Sequence, residues 1–267
     1  KGGAIYAGRN ITIQGGIFEN NSAKTGVGGV IYAGGNVIVQ GGTFKNNSAS
    51  SGKGGAIYAD GNITVQGSTF KYNSAKTGGA IYGTVISSGG VTFESNTATF
   101  VGGAIYGRVT INESASTNFS KNTASSGGAI NGTVILNGEV AFESNTASSS
   151  GGAIMSTTTV TINSTTGTAT FTSNESTDGG AICGNSIIIN GTATFNDNTA
   201  TTRGGAIYGG IYGTVISKGE VTFTSNESAD GGAIYGEVTI QENSTANFNS
   251  NTVSSSGGAI NAGGKNI

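Results

Sequence analysis

The sequence predicts an all-β protein, a parallel β-helix of about ten coils with about 25 residues and three strands per coil. Three observations carry that prediction. The word GGAI, once written GGVI, occurs eleven times, starting at Gly2, Gly28, Gly54, Gly78, Gly102, Gly127, Gly151, Gly179, Gly204, Gly231 and Gly257, 24 to 28 residues apart. The word F-x-x-N falls once in each of the ten gaps between them. Alternating β-branched triplets, such as Ile11-Thr12-Ile13, Val37-Ile38-Val39 and Val109-Thr110-Ile111, separate the two words.

Each coil opens at its glycine pair. Ile fills the fourth position of every GGxI word, so Ile5, Ile31, Ile57, Ile81 and their successors are read as core. Strand alternation then sends the preceding Ala and the following residue outward. That following residue is Tyr6, Tyr32, Tyr58, Tyr82, Tyr106, Tyr208 and Tyr235, interrupted by Asn131, Met155, Cys183 and Asn261. The expectation is an outer tyrosine ladder, a candidate binding surface. The β-branched triplet is a second strand with one face buried. The third strand carries Phe18, Phe44, Phe70 and Phe93 inward, and Asn21, Asn47, Asn73 and Asn96 are expected to stack at a bend, amide on amide. Clusters such as "QGG", "NNSAKTG" and "TASSSGG" read as turns. Two long coils, one with "STTTVTINSTTGTATF" after Met155 and one with the near-duplication "GGIYG" at 209–213, are expected to bulge outward.

One repeat buries an Ile, two β-branched residues and a Phe. That is far less than the backbone entropy of about 25 residues demands. Stacking like on like supplies the missing burial and pairs every strand with its copies above and below. Helical repeats are excluded by the glycine pairs and by the lack of 3.6-residue spacing. Leucine-rich repeats need leucines, and only Leu136 is present.

Composition narrows the function. About 10% of residues are charged and no basic patch exists, so nucleic acid is not an expected partner. No apolar run approaches the ~20 residues of a membrane helix, so direct membrane insertion by this segment is not expected. The chain has no His and a single cysteine, Cys183, and it offers no metal-ligand spacing. No cofactor or metal is expected. Carboxylates are scattered; Glu94 and Glu143 share a register two coils apart, about 10 Å, and Glu139 with Glu143 reads as a solvated turn pair. Thr12, Thr64, Thr110, Thr161 and Thr239 would line an outer column, but Ile38, Ile135 and Ile188 interrupt the regular ranks that ice binding needs. Frequent N-x-S/T triplets follow from the Asn, Ser and Thr content.

The pairing of Gly2-Gly3-Ala4-Ile5 with Phe18-x-x-Asn21, repeated through Gly257 to Ile260, resembles the chlamydial polymorphic membrane proteins over the full length of the chain. The resemblance implies a right-handed β-helix, the passenger region of an autotransporter, exposed at the cell surface and used for adhesion. It also implies that the GGAI and F-x-x-N words serve host-cell binding. That family's C-terminal barrel is missing from this sequence. The chain is therefore read as one β-helix domain over 1–267, a piece of a longer repeat protein.

The function expected is a structural and adhesive rod, extracellular or at the cell surface. Its partner is a receptor on a host or neighbouring cell, met through repetitive outer faces. The alternative is a filament subunit whose partner is itself. The opening "AGRNI" and the closing "AGGKNI" match, and an uncapped rod exposes strand edges that pair head to tail. A polysaccharide-active enzyme is a third class, and it lacks the clustered carboxylates such a site needs.

Overall fold

Glycine-punctuated β-branched repeats fold here as a stack of registered coils. A computed structural model describes residues 1–210 and 213–263, and all of its paired strands run parallel. Among the described residues there is no helix.

Register is set by the repeated words. Ile5, Ile31, Ile57, Ile81, Ile105, Ile130, Ile154, Ile182, Ile207, Ile234 and Ile260 are successive Cα partners. In the second segment Val109 pairs with Val85 and Val134, and Ile111 with Ser87 and Leu136. In the third, ten Phe rings from Phe18 to Phe248 stack with centroids 4.7–5.0 Å apart and planes within 12°. Phe93 and Phe119, for example, lie 4.8 Å apart at 4°. Matching side chains thus sit directly above one another, and the interior consists of those columns.

From the second coil on, each coil has four strand segments, one more than the sequence reading assigned; the first has three and a single bridge from Ser22 to Ser48. The S-A-K-T and T-A-S-S stretches that read as turns form a nine-stranded parallel sheet of their own, from Ser48–Lys53 to Thr252–Ser256. Their small alanines, Ala49, Ala75, Ala98, Ala124 and Ala147, point inward and close the fourth side of the coil. Ser and Thr content disguised this strand because its inward residue is the smallest possible apolar one.

The glycine corner holds a second correction. The Ala of GGAI, expected outside, is fully buried in nine of the eleven copies, from Val30 to Ala233. Alternation does not reach it, because it belongs to the bend. Ala56 and Ile57 both donate their N–H to the carbonyl of Ala80, at 2.8 and 3.0 Å, so consecutive side chains turn inward together. Each glycine of the pair has its own reason. Gly54 takes φ +65°, and a Cβ there would strike the carbonyl of Ile57; a Cβ on Gly55 would strike the carbonyl of Gly79 in the next coil.

At the opposite corner the Asn of F-x-x-N builds a buried amide ladder. Asn122 Nδ2 donates to Asn145 Oδ1 at 2.9 Å and to the Phe93 carbonyl at 3.0 Å. Its own Oδ1 accepts from both the backbone N–H and the Nδ2 of Asn96, each at 3.0 Å. The same pattern runs from Asn21 to Asn251. The residue before each of these Asn, from Asn20 to Ser250, is left-handed with φ between 52° and 59°. That conformation makes the corner, and its occupants are mostly Asn, Asp and Ser, which tolerate it best.

Of the long coils, the one after Met155 keeps a single strand, Ile154–Ile162, with a register break between Ser156 and Thr159. It then projects a short turn in which Thr165 and Thr166 are exposed, while the Ser164 hydroxyl anchors it by donating to the Gly138 carbonyl at 2.7 Å. Residues 211 and 212 of the near-duplication at 209–213, and 264–267 of the closing word, lie outside the described residues.

Candidate functional site

The first strand of each coil contributes one outward residue, and these form a column beside the glycine corner. Tyr6, Tyr32, Tyr58, Tyr82 and Tyr106 stack with centroids 5.3, 5.3, 5.2 and 5.0 Å apart and planes within 19°. Each ring covers its neighbour's face, so the stack presents ring edges and hydroxyls. Tyr6 is 60% exposed and the next four are half-buried.

The column then changes. Asn131, Met155 and Cys183 follow in register, and Tyr208 and Tyr235 resume it, tilted 58° to each other. Tyr208 departs from the outward expectation: it is 7% exposed because the Arg203 guanidinium lies 4.4 Å over its ring. Burial, the largest effect, pushes its phenol up. Cys183 is buried too, and that burial, with the charge of Asp178, pushes its thiol up to about 12.

Charged companions flank the tyrosines, and reading strand by strand misses them. Five of them stand just before a glycine pair, and Asp60 lies two residues after Tyr58. Lys1 Nζ lies 4.6 Å over the Tyr32 ring and donates to its hydroxyl at 3.4 Å. Lys53 Nζ lies 4.4 Å over Tyr82 and donates to its hydroxyl at 3.1 Å. Arg203 makes a bidentate pair with Asp178 at 2.9 and 2.8 Å. The Tyr32 hydroxyl donates to Asp60 Oδ2 at 3.2 Å. Burial first, and then a hydrogen bond to Asp60, pushes Tyr58 up to about 12. The signal was available in sequence: Lys1, Lys53, Asp178, Arg203 and Asp230 all precede a GGAI word.

The repeat words themselves face the other way. Ile31, Ile57, Ile81, Phe44, Phe70, Phe93, Asn47, Asn73 and Asn96 are fully buried, and Ile5, Phe18 and Asn21 of the first coil are half-buried. What the words leave accessible is the middle of F-x-x-N, where Asn20, Asn46 and Tyr72 are exposed.

The carboxylates do not assemble. Glu94 is held by Lys71 at 2.8 Å. Glu139 and Glu143, read as a turn pair, lie at the two ends of one strand, about 13 Å apart. Among the described residues no three His, Cys, Asp or Glu side chains converge as metal ligands would.

Comparison with known families fits this geometry. The Chlamydia polymorphic membrane protein repeat model matches residues 15–34, 41–60, 67–84, 90–108, 139–157, 168–185, 192–214 and 220–237, more than half of the chain. The chain belongs to the Chlamydia polymorphic membrane protein repeat family. No curated protein and no solved structure shows a significant match. Each matched stretch of this polymorphic membrane protein repeat runs from the turn before Phe, through the amide corner and the glycine corner, to at least two residues past the outward residue after Ile, and in one case to Thr214. The matched unit therefore takes in both corners and the outward column, and leaves out most of the β-branched second strand.

Proposed function

We propose that the chain is an adhesive rod displayed at a cell surface, and that it attaches through the tyrosine edge. The carrying observation is the run of five stacked phenols over about 20 Å, its hydroxyls outward and lysines beside Tyr32 and Tyr82. Rigid aromatics with a polar tip give contact area at little entropic cost. Repetition lets many weak contacts act together on a receptor of a host or neighbouring cell. Membership in the repeat family supports surface display.

The test is adhesion of beads coated with the chain. Tyr6, Tyr32, Tyr58, Tyr82 and Tyr106 are replaced together by Thr, which keeps β-propensity. The variant should keep its circular dichroism and lose at least ten-fold in bound beads. Equal binding removes the tyrosine edge as the contact surface; failure of wild-type beads on every cell type tested removes adhesion.

A further inference from the structure

The rod is electrically polar along its length. Residues 1–100 carry seven Lys or Arg against three Asp or Glu, a net +4; residues 101–267 carry five against eleven, a net −6. The overall charge of −2 conceals this split.

Part of the split is displayed on one surface, the outer face of the nine-stranded fourth sheet. Counting coils along the rod, the first carries Ala23 just ahead of this sheet, where Ser22 bridges to Ser48, and the third carries Ala75; both alanines point inward, which turns Lys24 and Lys76 out to solvent. In its seventh and ninth coils Ser176 and Ser228 are the inward residues, and Glu175 and Glu227 are exposed beside them, each followed by an aspartate, Asp178 and Asp230. Among the described residues, none of Lys24, Lys76, Glu175 and Glu227 makes an ion pair within the chain. The three coils between, Thr97–Val101, Thr123–Ser126 and Thr146–Ser150, hold no ionised side chain on this strand.

From this placement we propose that two copies of the chain pair side by side and antiparallel through the fourth sheet, about a twofold axis at the fifth coil. That axis sets coil one against coil nine and coil three against coil seven. Lys24 of one copy then meets the Glu227 and Asp230 region of the other, Lys76 meets the Glu175 and Asp178 region, and symmetry repeats both contacts. Between the charged ends the outward side chains are small Ser and Thr except Phe100, which is 49% exposed and adds apolar area to the contact. At these four positions the antiparallel arrangement matches the signs, whereas parallel copies would set lysine on lysine; in coils two and eight, which also face each other, Lys53 is held over its own Tyr82 ring and Arg203 is neutralised by its own Asp178. The face is about 40 Å long and ~13 Å wide, so each copy buries about 500 Å², below the ~800 Å² of a standard interface. Charge complementarity therefore decides the association, and the dimer is weak and salt-labile.

Sedimentation velocity on the whole chain tests this with a charge swap. Wild type at about 100 μM should dimerise at low ionic strength and dissociate near 0.5 M salt. K24E/K76E alone and E175K/E227K alone should remain monomeric. An equimolar mixture of the two variants should dimerise, since every contact is again complementary. All four positions are exposed, and circular dichroism confirms that each variant folds. A monomeric wild type at low salt overturns the proposal, as does a mixture that stays monomeric. Association that survives in K24E/K76E assigns it to another surface, such as the rod ends. Retention of a monomeric wild type on a polyanion resin, lost in K24E/K76E, assigns the lysines to an anionic polymer instead.

Discussion

The amide–phenylalanine corner and the tyrosine edge run the same length with the same coil-to-coil spacing, yet only the first is unbroken. Phe and Asn keep their places in all ten coils, whereas the tyrosine column yields to Asn131, Met155 and Cys183 midway. The difference is one of obligation. An Asn in the ladder satisfies donors from the coil before and donates to the coil after, so its loss strands polar groups on both sides. A tyrosine at the edge covers its neighbour's face and makes exposed polar contacts, such as Tyr32 to Asp60, that water can replace. Columns that are obligatory specify the fold; columns that are optional are free to serve a partner.

The largest effects should come from breaking the corner. Asn122→Ala leaves the buried backbone N–H of Asn96 without its acceptor and takes one donor from the Phe93 carbonyl, and should cost about 3 kcal/mol in denaturant unfolding. Phe119→Ala opens a cavity between two rings and should cost about 3–5 kcal/mol in the same experiment. A loss under about 1 kcal/mol in either would put the corner on a par with the edge.

Next come two serines that stand in an otherwise aliphatic column. Ser87 shares a hydrogen bond with Thr117 at 2.8 Å, while the buried Ser217 hydroxyl has no partner in the structure. Ser217→Val should therefore raise stability by about 1 kcal/mol, and Ser87→Val should lower it by ~1–3 kcal/mol through the stranded Thr117 hydroxyl. Thermal melts of the two variants should move in opposite directions.

At the edge, Tyr58→Thr should cost about 0.4–2 kcal/mol, the worth of its two cross-strand aromatic pairs, with Tyr32 and Tyr82. The same residue gives the smallest expected effect, in pH dependence. Its folded pKa, about 12, lies above the ordinary value of 10.0. Below pH 10 its contribution is fully present. Between 10 and 12 the unfolded chain releases the proton first, so stability falls as pH rises. Tyr58→Phe should flatten that alkaline limb in urea titrations, and an unchanged slope would show that Tyr58 titrates normally.

Much of this was legible in sequence, for a physical reason. In a solenoid each coil constrains the next, so the interior writes itself into the sequence as repetition; the Ile, Phe and Asn columns and their register follow. What escaped were features that repetition disguises. The inward Ala of GGAI obeys a corner rather than strand alternation. The fourth strand hides in Ser and Thr because its inward residue is a small Ala or Ser. The left-handed residue before each Asn shows only as a polar bias, and Tyr72 and Lys121 break even that. At the candidate site the tyrosines were readable one by one. Their charged neighbours showed only as residues ahead of GGAI words; which ring each one meets did not show, because Lys53 meets Tyr82 only across coils.

The central claim, that coils stack in register along one axis, is tested most directly by pulsed electron–electron distance measurement. Nitroxide labels are placed on Thr252 and, in separate samples at high salt, on Thr123, Thr97 or Ser48, all in one register column with Thr252 of the fourth sheet. Five, six and eight coil steps separate these pairs, so the distances should rise linearly through about 24, 29 and 38 Å at ~4.8 Å per coil. Distances that level off, or that fall out of order, would contradict the stack.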